Sequence, residues 1–191
     1  MNRYALLVIG SMVTVIFDQA SKIWAIKNLS HSGIVPDTAA ELRLMNAYPD
    51  GMVIIENLFH FRLAGNPGAA WGIFGSMPDN LRIPFFLVIS AIAIGVVVMI
   101  YRSADGQKLL RWALTLVMGG AIGNLIDRVR FGYVIDFIDW EGSIYKDYPI
   151  FNVADIAISV GVGLLILDMI IHRDAHKSSN DSDSKEAATG A

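Results

Sequence analysis

The sequence predicts an all-α membrane protein: four transmembrane helices with a small extracytoplasmic β-sheet. Three observations carry this. Of 191 residues, 54% are hydrophobic and only 17% charged, where a soluble domain carries about 25% charge. Four apolar runs approach the roughly 20 residues that cross a bilayer. Between the first two runs lies a long segment in which apolar residues alternate with polar ones.

The first span covers 4–26. It is uncharged from Tyr4 to Phe17 and then carries Asp18 and Lys22. Its length, and the absence from "FDQASKIW" of an A-x-A-like site followed by a soluble domain, make it an uncleaved span and not a signal peptide. The second span, Ile83 to Tyr101, is uncharged. The third, 109–127, holds Arg111, which can snorkel, and the fourth covers 153–171. Several aromatic residues sit at span ends, as in an aromatic belt. In segment 27–82, "MVII" and "LFHFRL" have strand character and "GNPG" signals a turn. After the third span, "YVIDFI" is strand-like. No motif is placed in residues 33–52. Residues 1–177 read as one membrane domain, and 178–191 as a disordered cytoplasmic tail, polar and poor in apolar residues.

Four spans place both termini on one side. Arg102, Lys108, Arg111, Arg173 and Lys177 cluster there, and the positive-inside rule makes that side cytoplasmic. It follows from span parity that Asp18, Lys22, Asn66, Asn124, Asp127, Arg128, Asp136, Asp139, Asn152 and Asp155 all gather at the outer face. Asp168 alone lies at the inner end.

Each of these residues also has a structural reading. Asp18 and Lys22 form an i,i+4 pair, worth tenths of a kcal/mol when exposed. Asn152 can cap the fourth helix, with Asp155 as an N3 carboxylate. Asp139, Glu141 and Asp147 read as solvated loop acids, and Asp168 as an interfacial acid near Arg173. His172 and His176 have metal-binding spacing but no third ligand nearby, where a catalytic site usually has three. Ser21 and Lys22 are adjacent on a helix and point about 100° apart, so they cannot form a dyad.

Cysteine is absent, which removes thiol nucleophiles, disulfides and thiolate metal sites. A net charge of −3 excludes an obvious nucleic-acid binder. "MGGAIGN" lies within a span, where small residues allow close helix packing. Carboxylates remain. Two of them close together share one proton, so that one can act as base on a water and the other as acid toward a carbonyl. That chemistry needs neither metal nor cofactor. Asp136, flanked by Ile135 and Phe137, and Asp127, beside Arg128, are both candidates to pair with Asp155. Apolar neighbours suit Asp136 to holding a shared proton.

Five blocks match one family in order: "FDQASK" (17–22), "NPGAAWGIF" (66–74), "GGAIGNLIDR" (119–128), "GYVIDFID" (132–139) and "FNVADIAI" (151–158). The sequence resembles the lipoprotein signal peptidase (signal peptidase II) family of bacterial membrane aspartyl proteases. The resemblance implies removal of signal peptides from prolipoproteins, with cleavage before a diacylglyceryl-modified cysteine. It implies that Asp136 and Asp155 are catalytic. Asp18, Lys22, Asn66, Asn124, Asp127, Arg128 and Asn152 fall on supporting positions, and no cofactor or metal is expected. The chain is expected to be a monomer that meets its substrate and membrane lipid in the bacterial plasma (inner) membrane. Rival readings are a transporter with an acidic ion relay, which should place polar groups at several depths, and a membrane scaffold.

Overall fold

The computed structural model describes residues 4–45, 51–140 and 148–189, with side chains up to Ile171 other than those of Arg43 and Ala70. The element order is α1 (Ala5–Leu29), α2 (Ala39–Leu44), β1 (Met52–Ile55), β2 (Phe59–Asn66), a 3-10 turn (Ala70–Gly72), α3 (Asp79–Ser103), α4 (Lys108–Phe131), β3 (Val134–Trp140) and α5 (Val153–Thr189). Among the described residues four helices are long and apolar enough to cross a membrane: α1, α3, α4 and α5 over Val153–Ile171. Their outward faces leave Val8, Ile9, Met12, Val13 and Ile16 of α1 and Val88, Ile89, Ile92 and Val96 of α3 exposed. Such stripes are a liability in water and match acyl chains as well as leucine does.

Helix α4 packs against α1, α3 and α5, and glycines set how closely. A Cβ on Gly123 would meet Asp18 Oδ2 at 2.6 Å, and one on Gly120 would meet the Ala154 carbonyl at 2.5 Å. The small residues of "GGAIG" therefore bring α1 and the start of α5 against α4. Helix α3 begins four residues before Ile83, because its first turn is charged. Arg82 pairs with Asp79 at 2.6 Å and donates to the carbonyls of Gly75 and Met77. Hydropathy hides such a turn.

The sheet is antiparallel in the order β1-β2-β3, formed by the three segments with strand character. A shift in register between Phe61 and Ala64 resets the pairing to Ala64 with Asp136 and Asn66 with Val134. Irregularities of this kind re-aim side chains. Below the sheet lies one core, with Ala25, Ile26 and Leu29 of α1, Leu42 of α2, Leu63 of β2, and Ile135 and Phe137 of β3. Leu7, Val97, Tyr101, Leu114 and Met118 form a second core at the opposite end of the bundle.

Several local expectations are corrected. Residues 39–44, in the segment where no motif is placed, form α2. It is held by the buried Leu42 and by the close approach of Ala39 to Gly65. Asp139 is not a solvated loop acid: it is buried in β3 and paired with Arg62 at 2.8 Å. Asp168 is buried, only 6% exposed. Asp18 and Lys22 are 0% and 2% exposed, not a surface pair. The α5 backbone stays helical to Thr189, through residues whose composition predicts no regular structure. Extending a formed helix costs far less than nucleating one, and Lys185, Glu186, Ala187 and Ala188 are good helix formers. Glu141 and Asp147 lie outside the described residues, as do the side chains of His172, Arg173 and His176.

Candidate active site

Asn152 precedes α5, and Asp155 is that helix's third residue. The Asp155 N–H donates to Asn152 Oδ1 at 3.0 Å, and the Asn152 N–H donates to Asp155 Oδ2 at 3.2 Å. This is a reciprocal capping box. The structural and functional readings of these two residues coincide, because the cap aims the Asp155 carboxylate.

Asn152 also reaches across to the sheet. Its Nδ2 donates to Asp136 Oδ1 at 2.6 Å and to Asn124 Oδ1 at 3.1 Å. Asn124 Nδ2 in turn donates to Asp155 Oδ1 at 2.8 Å. Two asparagines thus bridge a strand carboxylate and a helix carboxylate. Burial, and then the charge of Asp155, push the Asp136 carboxyl up to about 8. Hydrogen bonds from Asn152 and Asn66, and the charge of Lys22, act in the opposite sense. A carboxyl that keeps its proton near neutral pH can serve as a general acid.

Behind this pair lies a fully buried polar hub. Lys22 Nζ sits 2.9 Å from Asp18 Oδ2 and 2.8 Å from Asp127 Oδ2, and donates to Asn124 Oδ1 at 3.1 Å. Each acid also fixes backbone. Asp18 Oδ1 accepts the Ala154 N–H at 3.0 Å, so α1 helps cap α5. Asp127 Oδ2 accepts the Ile135 N–H at 3.1 Å, one residue before Asp136. Asp127 therefore positions β3 and binds Lys22, with no described bond to Asp155. Arg128 Nη1 donates to the Asn124 carbonyl and Nη2 to the Gly68 carbonyl. Its guanidinium lies 4.8 Å from the Phe86 ring centroid. Asn66 Oδ1 accepts the Gly68 N–H at 3.0 Å, which shapes the "NPG" turn against the site.

The two carboxylates open on adjoining cavities. Asp155 lines one of about 310 Å³ with Asn66, Asn124, Arg128, Ile158 and Ser159. Asp136 lines one of about 220 Å³ with Ala64, Gly65 and Pro67. Asn66, Trp71, Pro149 and Ile150 border both. The Trp71 ring meets that of Tyr148 edge-on at 6.4 Å, and Trp71 takes a left-handed φ of 56°, which is unusual for a bulky residue.

All nine residues proposed for the site from sequence gather here. Sequence reasoning missed Gln19, whose Nε2 donates to Asp18 Oδ2, to Asp127 Oδ1 and to the Gly123 carbonyl. An amide within an apolar span was its signal. Trp71, Tyr148 and Ser159 were missed as cavity walls, because nothing local distinguishes them from surface residues.

The family model described as "Signal peptidase (SPase) II" matches residues 11–171. The lipoprotein signal peptidase of Geobacter metallireducens is 36% identical over 181 residues, covering 94% of this chain and 98% of the relative. That of Geobacter sulfurreducens is 45% identical over 129 residues, covering 67% and 78%. A bacterial membrane enzyme solved by the in meso method at 2.3 Å superposes with a TM-score of 0.68 at 30% identity, covering 87% of this chain and 88% of that one. The match runs through every residue of the buried polar cluster, and the chain belongs to the signal peptidase II family of membrane proteases.

Proposed function

We propose that Asp136 and Asp155 are the catalytic dyad with which this peptidase removes signal peptides from prolipoproteins, cutting before a diacylglyceryl-modified cysteine. One observation carries the assignment. Two carboxylates from different elements are bridged by Asn152 and Asn124, and each faces one of two adjoining cavities. A peptide laid across both cavities brings its scissile carbonyl to the pair.

Asp155, with an N–H on each oxygen, takes a proton from the attacking water. Asp136 gives its proton to the carbonyl oxygen. The tetrahedral intermediate then collapses: one hydroxyl returns its proton to Asp136 as the C=O re-forms, the C–N bond breaks, and the leaving amine takes the proton held by Asp155. Lys22, Asp18, Asp127 and Arg128 fix the elements that carry the dyad.

The reading also places the sheet end on the outer side of the bacterial plasma membrane. Arg102, Lys108 and Arg111 at the opposite end support this. The Asp155 cavity continues along α5 to Ile158 and Ser159, beside the exposed Ile156 and Val160. A lipidated residue can then reach the dyad without leaving the bilayer.

Purified protein should cleave a diacylglyceryl-modified peptide immediately before its cysteine, with a strong chelator present. No cleavage by folded protein, or cleavage lost on chelation and restored by zinc, overturns the dyad. In intact cells a cysteine at Ser103 should resist a membrane-impermeant thiol reagent, and labelling there inverts the orientation.

A further inference from the structure

Ser159 follows Asp155 by four residues and so lies about 6 Å further along the same face of α5. Both side chains line one cavity. Within a span, a hydroxyl usually bonds a backbone carbonyl, and its neighbours do so. Ser11 donates to the Thr115 carbonyl, Thr14 to that of Gly10 and Thr115 to that of Arg111. Ser159 makes no such bond among the described residues, although the carbonyl of Asp155 is one turn away. Ser90 of α3 shares this state but lines none of the cavities described here. Ser159 is exposed at the edge of that cavity, and thus presents an uncommitted donor within a membrane-spanning stretch, where an unmet polar group is costly.

We infer that Ser159 recognises the diacylglyceryl group by donating a hydrogen bond to one of its ester carbonyls. This rests on the peptidase reading above. In such a substrate the cysteine sulfur bears a glycerol whose esters begin a few bonds from the scissile peptide. With that peptide at Asp155, the nearer ester falls about one helical turn along α5, which is the spacing of the two side chains. Ile158, beside Ser159 in the wall, offers an apolar surface to the acyl chain that follows. Ser159 is thus a specificity residue that separates acylated from merely alkylated substrates.

The test uses two peptides of one sequence, carrying either a diacylglyceryl group or the dialkyl ether that lacks the carbonyls. With full-length protein, kcat/KM should favour the ester by about three- to tenfold, the range of one hydrogen bond. Ser159→Ala should bring that ratio to about one, and Ser159→Thr, which keeps the hydroxyl, should retain the preference. A purely structural role for Ser159 would lower both rates together and leave the ratio unchanged. An unchanged ratio in Ser159→Ala, or a wild-type ratio near one, overturns the inference while leaving the peptidase reading intact. Wild-type protein that cleaves neither peptide overturns both.

Discussion

Asp155 and Asp168 stand on the same helix, 168 − 155 = 13 residues apart, about 20 Å at 1.5 Å per residue. Both are acids within a bilayer, where charge is rare and costly. Asp155 is tied to Asn124 and Asn152 and still lines a cavity. Asp168 is buried and lines none of the three cavities described. Around Asp155, sheet, turn and three helices converge. At the other end lies an apolar core, with Arg111 donating from Nε and Nη2 to the Tyr101 hydroxyl. The contrast separates two uses of intramembrane charge. One end holds a carboxylate in place and leaves it facing a cavity, and the other encloses it.

The sharpest break in the comparison is at the dyad. Asp136→Asn and Asp155→Asn should each lower kcat by about 10³-fold or more, the scale of lost general acid–base catalysis, while the protein still inserts and binds an uncleavable mimic. Near-normal turnover in Asp136→Asn, beside none in a stable Asp127→Asn, would move the dyad to Asp127.

Asp136 keeps its proton to about pH 8 in the fold but only to 3.8 by its ordinary value. Its stabilising contribution is complete below about pH 4 and is lost as pH rises through 8, by up to about 1.4 kcal/mol per unit. Turnover should fall above pH 8 as the acid ionises. Melting temperature followed from pH 4 to 8 should decline less in Asp136→Asn than in wild type.

Next comes the hub. Lys22→Met leaves Asp18 and Asp127 buried without their shared cation and should cost about 3–5 kcal/mol. Thermal unfolding in detergent reads this directly, and an unshifted midpoint would mean that the hub is not structural. The smallest effect is expected at the far end. Asp168→Asn shares no described partner with the dyad and should keep kcat within about twofold, with stability lowered by about 1–3 kcal/mol. A folded but inactive Asp168→Asn would remove the distinction between the two ends.

Hydropathy and parity made the spans and the convergence of polar groups legible, because bilayer thickness leaves few alternatives. Alternation exposed the strands. Helix α2, at six residues, is too short to show a period, and Leu42 and Gly65 hold it through contacts distant in sequence. Asp139 looked solvated because Arg62 lies on another strand. Asp18 and Lys22 looked like a weak surface pair because Asn124 and Asp127 are about 100 residues away in sequence. Periodicity reports which face of an element is apolar, and says nothing of which polar group meets which.

The Asp18–Lys22 pair also bears on how the protein is made. Both charges lie on α1, one turn apart, so the first span enters the membrane with its ammonium already matched. The chain then threads α4, which adds Asn124 and Asp127. Only when α5 emerges does Asp18 find the Ala154 N–H and Asp155 join Asp136. If Asp136 and Asp155 form the proposed dyad, a nascent chain without its last helix holds only one of the two carboxylates and should not cut, so proteolytic competence would arrive together with the last span.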